Sequence, residues 1–217
     1  MERLEQTIKK LWIIQECRNQ MARYEYLHSA KKHAETYELF ALSRNDCWIE
    51  NYDLGFFYGP ESVRRFFVEF HENMDGEDIR GSFCEHSLTT EVIVVADDLR
   101  TAKACWMSPG CETRREPGTG KLTSYWVWVK YAVDFIEENG TWKFWHFTIF
   151  SDFCSDYYTS WVDMEYTTPA TPDMLAPDSK PAMALAYTNQ TEPQLWPVPP
   201  IPYKTYDGNT MTPRKEK

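Results

Sequence analysis

The sequence predicts an α+β fold with helices first, a sheet second and an extended arm last, and three observations carry that reading. Apolar residues recur at helical spacing through residues 4–24. Four long runs rich in β-branched and aromatic residues fill residues 83–154. Ten of the thirteen prolines lie beyond residue 155.

The opening helix is read from Leu4, Ile8, Leu11, Ile14, Met21 and Tyr24, which form one apolar stripe, with His28 one turn after Tyr24 on the same face. A second, short helix is expected at about 31–42, with Ala34, Tyr37 and Leu39 to Ala41 turned inward. Residues 47–52 and 56–58 read as a small hairpin around the Asp53-Leu54-Gly55 turn. Gly59-Pro60-Glu61 then opens a third helix, because proline is tolerated in a first turn, and Val63, Phe66, Phe67 and Phe70 supply its buried stripe.

Residues 83–96, 100–112, 124–138 and 141–154 read as four antiparallel strands, with Arg114 to Lys121 as a mobile loop. Asn139-Gly140 is the strongest turn signal, since both residues tolerate the positive φ of a tight hairpin. If they form the turn, Phe135 faces Phe144, Val133 faces His146, Tyr131 faces Thr148 and Val129 faces Phe150. His146 would then share a face with Val133, Tyr131, Phe144 and Thr148. Trp126, Trp128, Trp145, Phe147 and Ile149 would take the other. A sheet apolar on both faces must be covered on both, and the helices reach only one. The second face is expected to meet the arm or a partner subunit, which makes a homodimer or higher homo-oligomer through that face and the tail the expected assembly.

The domain boundary is placed between a core at 1–155 and a Pro-rich tail at 156–217, in which Trp161, Tyr166, Leu195, Trp196, Ile201 and Tyr203 are expected to hold an extended arm on its own core or a neighbouring one. Lys plus Arg is 23 against 33 for Asp plus Glu, a net charge of -10. An acidic surface repels phosphates, so nucleic acid and membrane surfaces are excluded as expected partners. No apolar run reaches spanning length, and the charged N-terminus lacks a signal-peptide pattern, so a cytoplasmic location is expected. Six scattered cysteines form no CxxC pair and no ligand spacing, which reads as reduced thiols with no metal site.

Three segments resemble the SnoaL-like family of the nuclear transport factor 2-like superfamily over about residues 10–155: GFFYGPESVRRFF at 55–67, HSLTTEVIVVADDLRTAKA at 86–104 and DFIEENGTWKFWHFTIFSDF at 134–153. The resemblance implies a curved antiparallel sheet rolled into a cone, closed on one side by three N-terminal helices, with an apolar pocket between. The family contains polyketide cyclases, dehydratases and ketosteroid isomerase-like enzymes alongside binding-only modules, and its enzymes generally need no cofactor. Its dehydratases move protons with a pocket His assisted by Tyr and Asp. Carried onto this sequence, His86 matches the strand His and Tyr24 the helix Tyr. The Asp after that Tyr is replaced by Leu27-His28-Ser29, and the Asp expected after Trp106 is absent from Ser108 to Cys111.

The residues and the resemblance together single out His86 and His146 as proton-transfer groups, since an imidazole titrates near neutrality at about 6.5. Tyr24 and Tyr58 are the candidate donors to a substrate oxygen, and His28, Tyr131, Trp106, Phe144 and Thr148 the candidate pocket lining. Each has a plainer alternative as a packed core side chain. The expected chemistry is a cofactor-independent lyase or isomerase acting on an apolar, oxygenated small molecule of aromatic, steroid or polyketide type; the alternative is a ligand-binding or assembly module without turnover.

Overall fold

The computed structural model describes residues 2–116, 118–165, 171–183 and 187–214. Helix α1 (Glu2–Ser29) is followed by α2 (His33–Tyr37), the hairpin β1 (Trp48–Asn51) and β2 (Gly55–Tyr58), and α3 (Pro60–Arg64). From α3 the chain continues through a π-helical turn, Arg65–Phe70, into α4 (His71–Asp75). Five strands complete the sheet: β3 (Phe83–His86), β4 (Thr89–Val95), β5 (Thr101–Arg115), β6 (Leu122–Glu138) and β7 (Thr141–Asp156).

The strand order is β2-β1-β7-β6-β5-β3, with β4 also paired to β5. The sheet is mixed rather than wholly antiparallel, because β1 lies parallel to β7. The run expected as one strand at 83–96 is two. β3 pairs with residues 110–113 of β5 and β4 with residues 102–107. Pro109 falls in the gap between them, where a residue with no N–H is tolerated. Thr90, at φ 51, and a bulge between Thr89 and Val92 shift the alternation, so Ile93 and Val95 pack on the core while Val92 is exposed. The expected mobile loop is also shorter, with β5 running to Arg115 and β6 starting at Leu122.

Asn139 and Gly140 make the β6–β7 turn with φ 54 and 78, and the register begins as expected, with Glu138 opposite Thr141 and Phe135 opposite Phe144. It then slips by one: Asp134, not Val133, faces His146, and Val133 faces Phe147. Trp145 is the extra residue of this bulge. Because side chains alternate across a strand, one inserted residue reverses the face of the residues that follow it. Phe147 and Ile149 therefore join the helix-side core, while His146 and Thr148 turn to the outer face.

On the helix side, Ile13, Met21, Tyr24, Phe40, Phe66 and Phe67 pack against Val133, Phe135, Phe144 and Phe147 in one continuous core. The first half of α1 extends past this core, leaving Leu4, Ile8 and Leu11 at 65%, 57% and 60% exposed. Of the stripe read from sequence only Met21 and Tyr24 are buried, with Ile14 half-buried, and Ile13 and Cys17 supply the rest of the inward face. In α2, His33 and Thr36 are buried and Ala34 is exposed.

On the outer face, Tyr52, Cys105, Ala132 and Phe150 are covered by Met211, with Met183 and Trp196 packed beside them. Arg214 reaches the fully buried Glu50 at 2.7 Å and stacks over the Phe56 ring. Tyr203 accepts from the Asp97 amide, and Arg65 pairs with Asp178. Leu195 and Ile201 are exposed, against expectation, and Tyr166 lies outside the described residues. Among the described residues no helix is long and apolar enough to cross a membrane.

Candidate functional site

The helix side of the sheet carries a polar cluster built from three elements. The buried end of α1 supplies Tyr24, Glu25 and His28. Tyr24 and His28 are one turn apart, and their rings stack at 5.6 Å. On β3, Cys84 and His86 alternate onto the same inward face, and both are buried. On β5, Glu112 lies opposite Cys84 and Gly110 opposite His86. The His86 Nε2 is 3.0 Å from a Glu112 carboxylate oxygen, and Arg114 Nε donates to the other oxygen at 2.5 Å. His28 sits 6.1 Å from His86 and 5.3 Å from His71, ring to ring. His71 follows the π-helical turn and donates from Nδ1 to the Phe66 carbonyl at 2.8 Å. Single π turns are frequent at functional sites because they re-aim the residues after them.

Electrostatics separates the two carboxylates. Burial pushes Glu25 up to about 8, with the neighbouring Tyr131 hydroxyl opposing the rise. The carboxyl is therefore largely protonated at neutral pH. Burial also resists ionisation of Glu112, but Arg114 and His86 outweigh it and hold that carboxyl well below the usual carboxylate range. Burial, with His71 and His86 adding to it, depresses the His28 imidazole strongly, so it is neutral. The Tyr24 and Tyr131 phenols are driven well above their ordinary value by burial, and the Cys84 thiol is likewise pushed up.

Of the residues singled out from sequence, Tyr24, His28, His86 and Tyr131 are brought together; the Tyr24 ring meets Tyr131 at 5.9 Å. Phe144 and Trp106 share the face but belong to the apolar core, Phe144 against Phe40 and Phe147, and Trp106 edge-on to Phe135. His146 and Thr148 are on the opposite face, put there by the Trp145 bulge. His146 is stacked between Trp48 and Trp145, bonded to Asp134 at 2.9 Å and approached by the Tyr206 hydroxyl at 3.1 Å. Tyr58, on the edge strand β2, shares the parity of Phe56 rather than buried Phe57 and is 52% exposed, away from the cluster.

The hollow expected between helices and sheet is filled behind Tyr24 by Phe40, Phe67, Phe144 and Phe147. The polar cluster lies beside that plug, and the half-buried Arg114 and Tyr125 connect it to solvent. A cleft of about 740 Å³ lies elsewhere, on the outer face, between Lys130, Phe150 and Asp152 of the sheet and Trp161, Tyr187 and Trp196.

Glu25, His71, Cys84, Glu112 and Arg114 escaped the sequence reading. Alternation from His86 already places Cys84 on its face, and alternation from Trp106 passes through Gly110 to Glu112 and Arg114. A carboxylate thus does stand on the return strand, further along it than the Ser108 to Cys111 segment.

Residues 9–148 match the SnoaL-like domain family. The chain belongs to that family. Solved structures of the same fold include a protein assigned by name as a scytalone dehydratase from Novosphingobium aromaticivorans DSM 12444, at 15% identity and TM-score 0.55, covering 71% of this chain and 93% of the other. LinA aligns at 11% identity and TM-score 0.55, covering 76% of this chain and 99% of LinA. The hexachlorocyclohexane dehydrochlorinase LinA-type3 from Novosphingobium barchaimii LL02 aligns at 10% identity and TM-score 0.54, covering 75% and 99%. At these identities the likeness is one of fold. No curated protein sequence matches the chain. In this SnoaL-like domain the His28 ring meets that of His86.

Proposed function

We propose that this SnoaL-like protein is a cofactor-independent lyase or isomerase that moves protons on an apolar, oxygenated small molecule. The observation that carries the reading is the separation of a protonated carboxyl, Glu25, from an ionised one, Glu112, that holds an imidazole, His86, inside the helix side of the sheet. Pairs of titratable groups driven apart in this way are how one site holds both an acid and a base at neutral pH.

In the proposed reaction His86, held in one orientation by Glu112, removes a proton made acidic by an adjacent carbonyl, and the Tyr131 or Tyr24 hydroxyl donates to the developing enolate oxygen. For a β-hydroxy ketone, the electron pair of the broken C–H bond becomes the new double bond. The hydroxyl leaves as water with the proton of Glu25, and solvent returns the proton from His86 to Glu25. Names among the structural neighbours, a scytalone dehydratase and a dehydrochlorinase, are consistent with eliminations of this type.

Wild-type protein and the His86→Ala and Glu25→Gln variants, assayed against a panel of hydroxylated polycyclic ketones, test the reading. Losses of about 10² or more in kcat/KM for each variant are expected. Activity retained in both variants sinks the assigned roles, and a wild type that binds panel members without turnover favours a binding module of the same fold. A homodimer or higher homo-oligomer remains the proposed assembly, tested by light scattering on the full chain.

A further inference from the structure

The geometry points to a zinc site at His28, Cys84 and His86, with a fourth coordination position left open. Among the described residues these three form a group whose ligand atoms all lie within 4.8 Å of one another. Two ligand atoms held about 2 Å from one zinc ion at a tetrahedral angle are about 3.5 Å apart, so the cluster needs to close by about 1 Å to grip the ion.

Three further features support the assignment. The Nδ1 atoms of His28 and His86 are both buried with no hydrogen-bond partner. Orphaned polar atoms of this kind are costly in a folded interior. The other nitrogen of His86, Nε2, is already held by Glu112, which reproduces the carboxylate–histidine–metal arrangement that fixes ring orientation at zinc centres. The donor set is one thiol and two imidazoles with no carboxylate oxygen among the three, which suits zinc and disfavours magnesium or calcium. On binding, the Cys84 S–H bond gives way to an S–Zn bond and the proton passes to solvent. One ligand comes from α1 and two from β3, so no spacing pattern in the sequence announces the site.

This site stands apart from the proton-transfer reading and competes with it. Zinc held by the lone pair of His86 removes the base that reaction needs, so the loaded protein is expected to be inactive on the ketone panel and the metal-free protein active.

The test titrates the metal-free full chain with Co²⁺ as a spectroscopic substitute. The expected result is a sulfur-to-cobalt charge-transfer band in the near ultraviolet, with the intense visible absorption of a four-coordinate site, both abolished by one equivalent of Zn²⁺. Cys84→Ser is expected to lose the charge-transfer band, and Cys111→Ser, at a half-buried thiol outside the cluster, to keep it. Glu112→Gln leaves all three ligands in place and is expected to weaken Co²⁺ affinity about 10- to 100-fold, which keeps the test decisive should Cys84→Ser fail to fold. Absence of the band in the wild type, its survival in folded Cys84→Ser, or unchanged affinity in Glu112→Gln would overturn the site. Each result is read without substrate, so a chain whose metal-free form is inactive on the panel but whose cobalt form shows the band sinks only the lyase reading, and an active metal-free form that gives no band with cobalt sinks only the metal site.

Discussion

Asp134 and His146 face each other across β6 and β7, Oδ2 to Nδ1 at 2.9 Å, both almost fully buried on the side of the sheet turned away from the helices. The Trp145 bulge creates this pairing, and Trp48, Trp145 and Tyr206 close around it. Its surroundings are those of a structural polar pair. Removing one partner leaves the other stranded in the interior, so Asp134→Ala is expected to lower unfolding free energy by about 3 kcal/mol in urea denaturation. At temperatures where the variant is folded, turnover on the ketone panel should be unchanged. A large loss of kcat in the folded variant would return His146 to the reacting site.

Glu25 gives the protein a stability component with a definite sign in pH. Its folded pKa, near 8, stands above the unfolded value of about 4.3, so between the two the folded state holds a proton that the unfolded chain has lost. Stability from this group is full below about pH 4 and falls by about 1.4 kcal/mol per pH unit until pH passes 8. Glu25→Gln cannot titrate. Measured by urea denaturation, its stability relative to wild type should rise steadily from pH 5 to pH 8, and a flat difference would show that the carboxyl is not held protonated.

His71 works in the opposite direction. Burial pushes its imidazole down to about 4, against the Phe66 carbonyl bond that favours the charged form. Between pH 4 and the unfolded value of about 6.5 the unfolded chain binds the extra proton, so stability is present above pH 6.5 and drains away as pH falls. A His71→Gln variant should lose less stability than wild type over that interval, by about 3 kcal/mol at most. Parallel acid-unfolding curves would show that His71 is solvated.

Gly110 is the clearance on which the His86 ring depends. A Cβ at that position would lie 2.5 Å from His86 Nδ1 and 2.6 Å from the Glu85 carbonyl oxygen, and the second of these is backbone that cannot swing aside. Gly110→Ala is expected to cost about 1–3 kcal/mol and to displace His86 from Glu112. The measurements are thermal denaturation and kcat/KM, with the rate loss exceeding what the change in folded fraction explains.

Much of the framework is legible in the sequence alone. The Asn139-Gly140 turn specified the pairing of Phe135 with Phe144, because a two-residue turn leaves one register, and the Gly59-Pro60 start of the third helix followed from where a missing N–H is harmless. His86, Tyr24, His28 and Tyr131 were legible as site candidates by family motif and face. The placement of His146 was not, because a bulge is an insertion that no propensity at Trp145 announces and that reverses the side chains after it as far as the second register shift, at Trp128 and Val129. Tyr58 was misplaced for a related reason: a Gly-Pro turn marks where a loop begins, while strand parity decides which way its neighbour points.

The amino-acid order by itself determined that helices precede the strands, the main hairpin and the family, since these rest on local periodicity and turn chemistry that act within a few residues. Tertiary structure alone decided which charges meet. Glu25 and Glu112, alike in a peptide, are driven to opposite protonation states because burial outweighs the phenol beside Glu25, whereas a guanidinium and an imidazole outweigh burial at Glu112. His28 reaches Cys84 and His86 only because α1 is packed against β3, a long-range contact that hydrophobic burial enforces and no local pattern encodes.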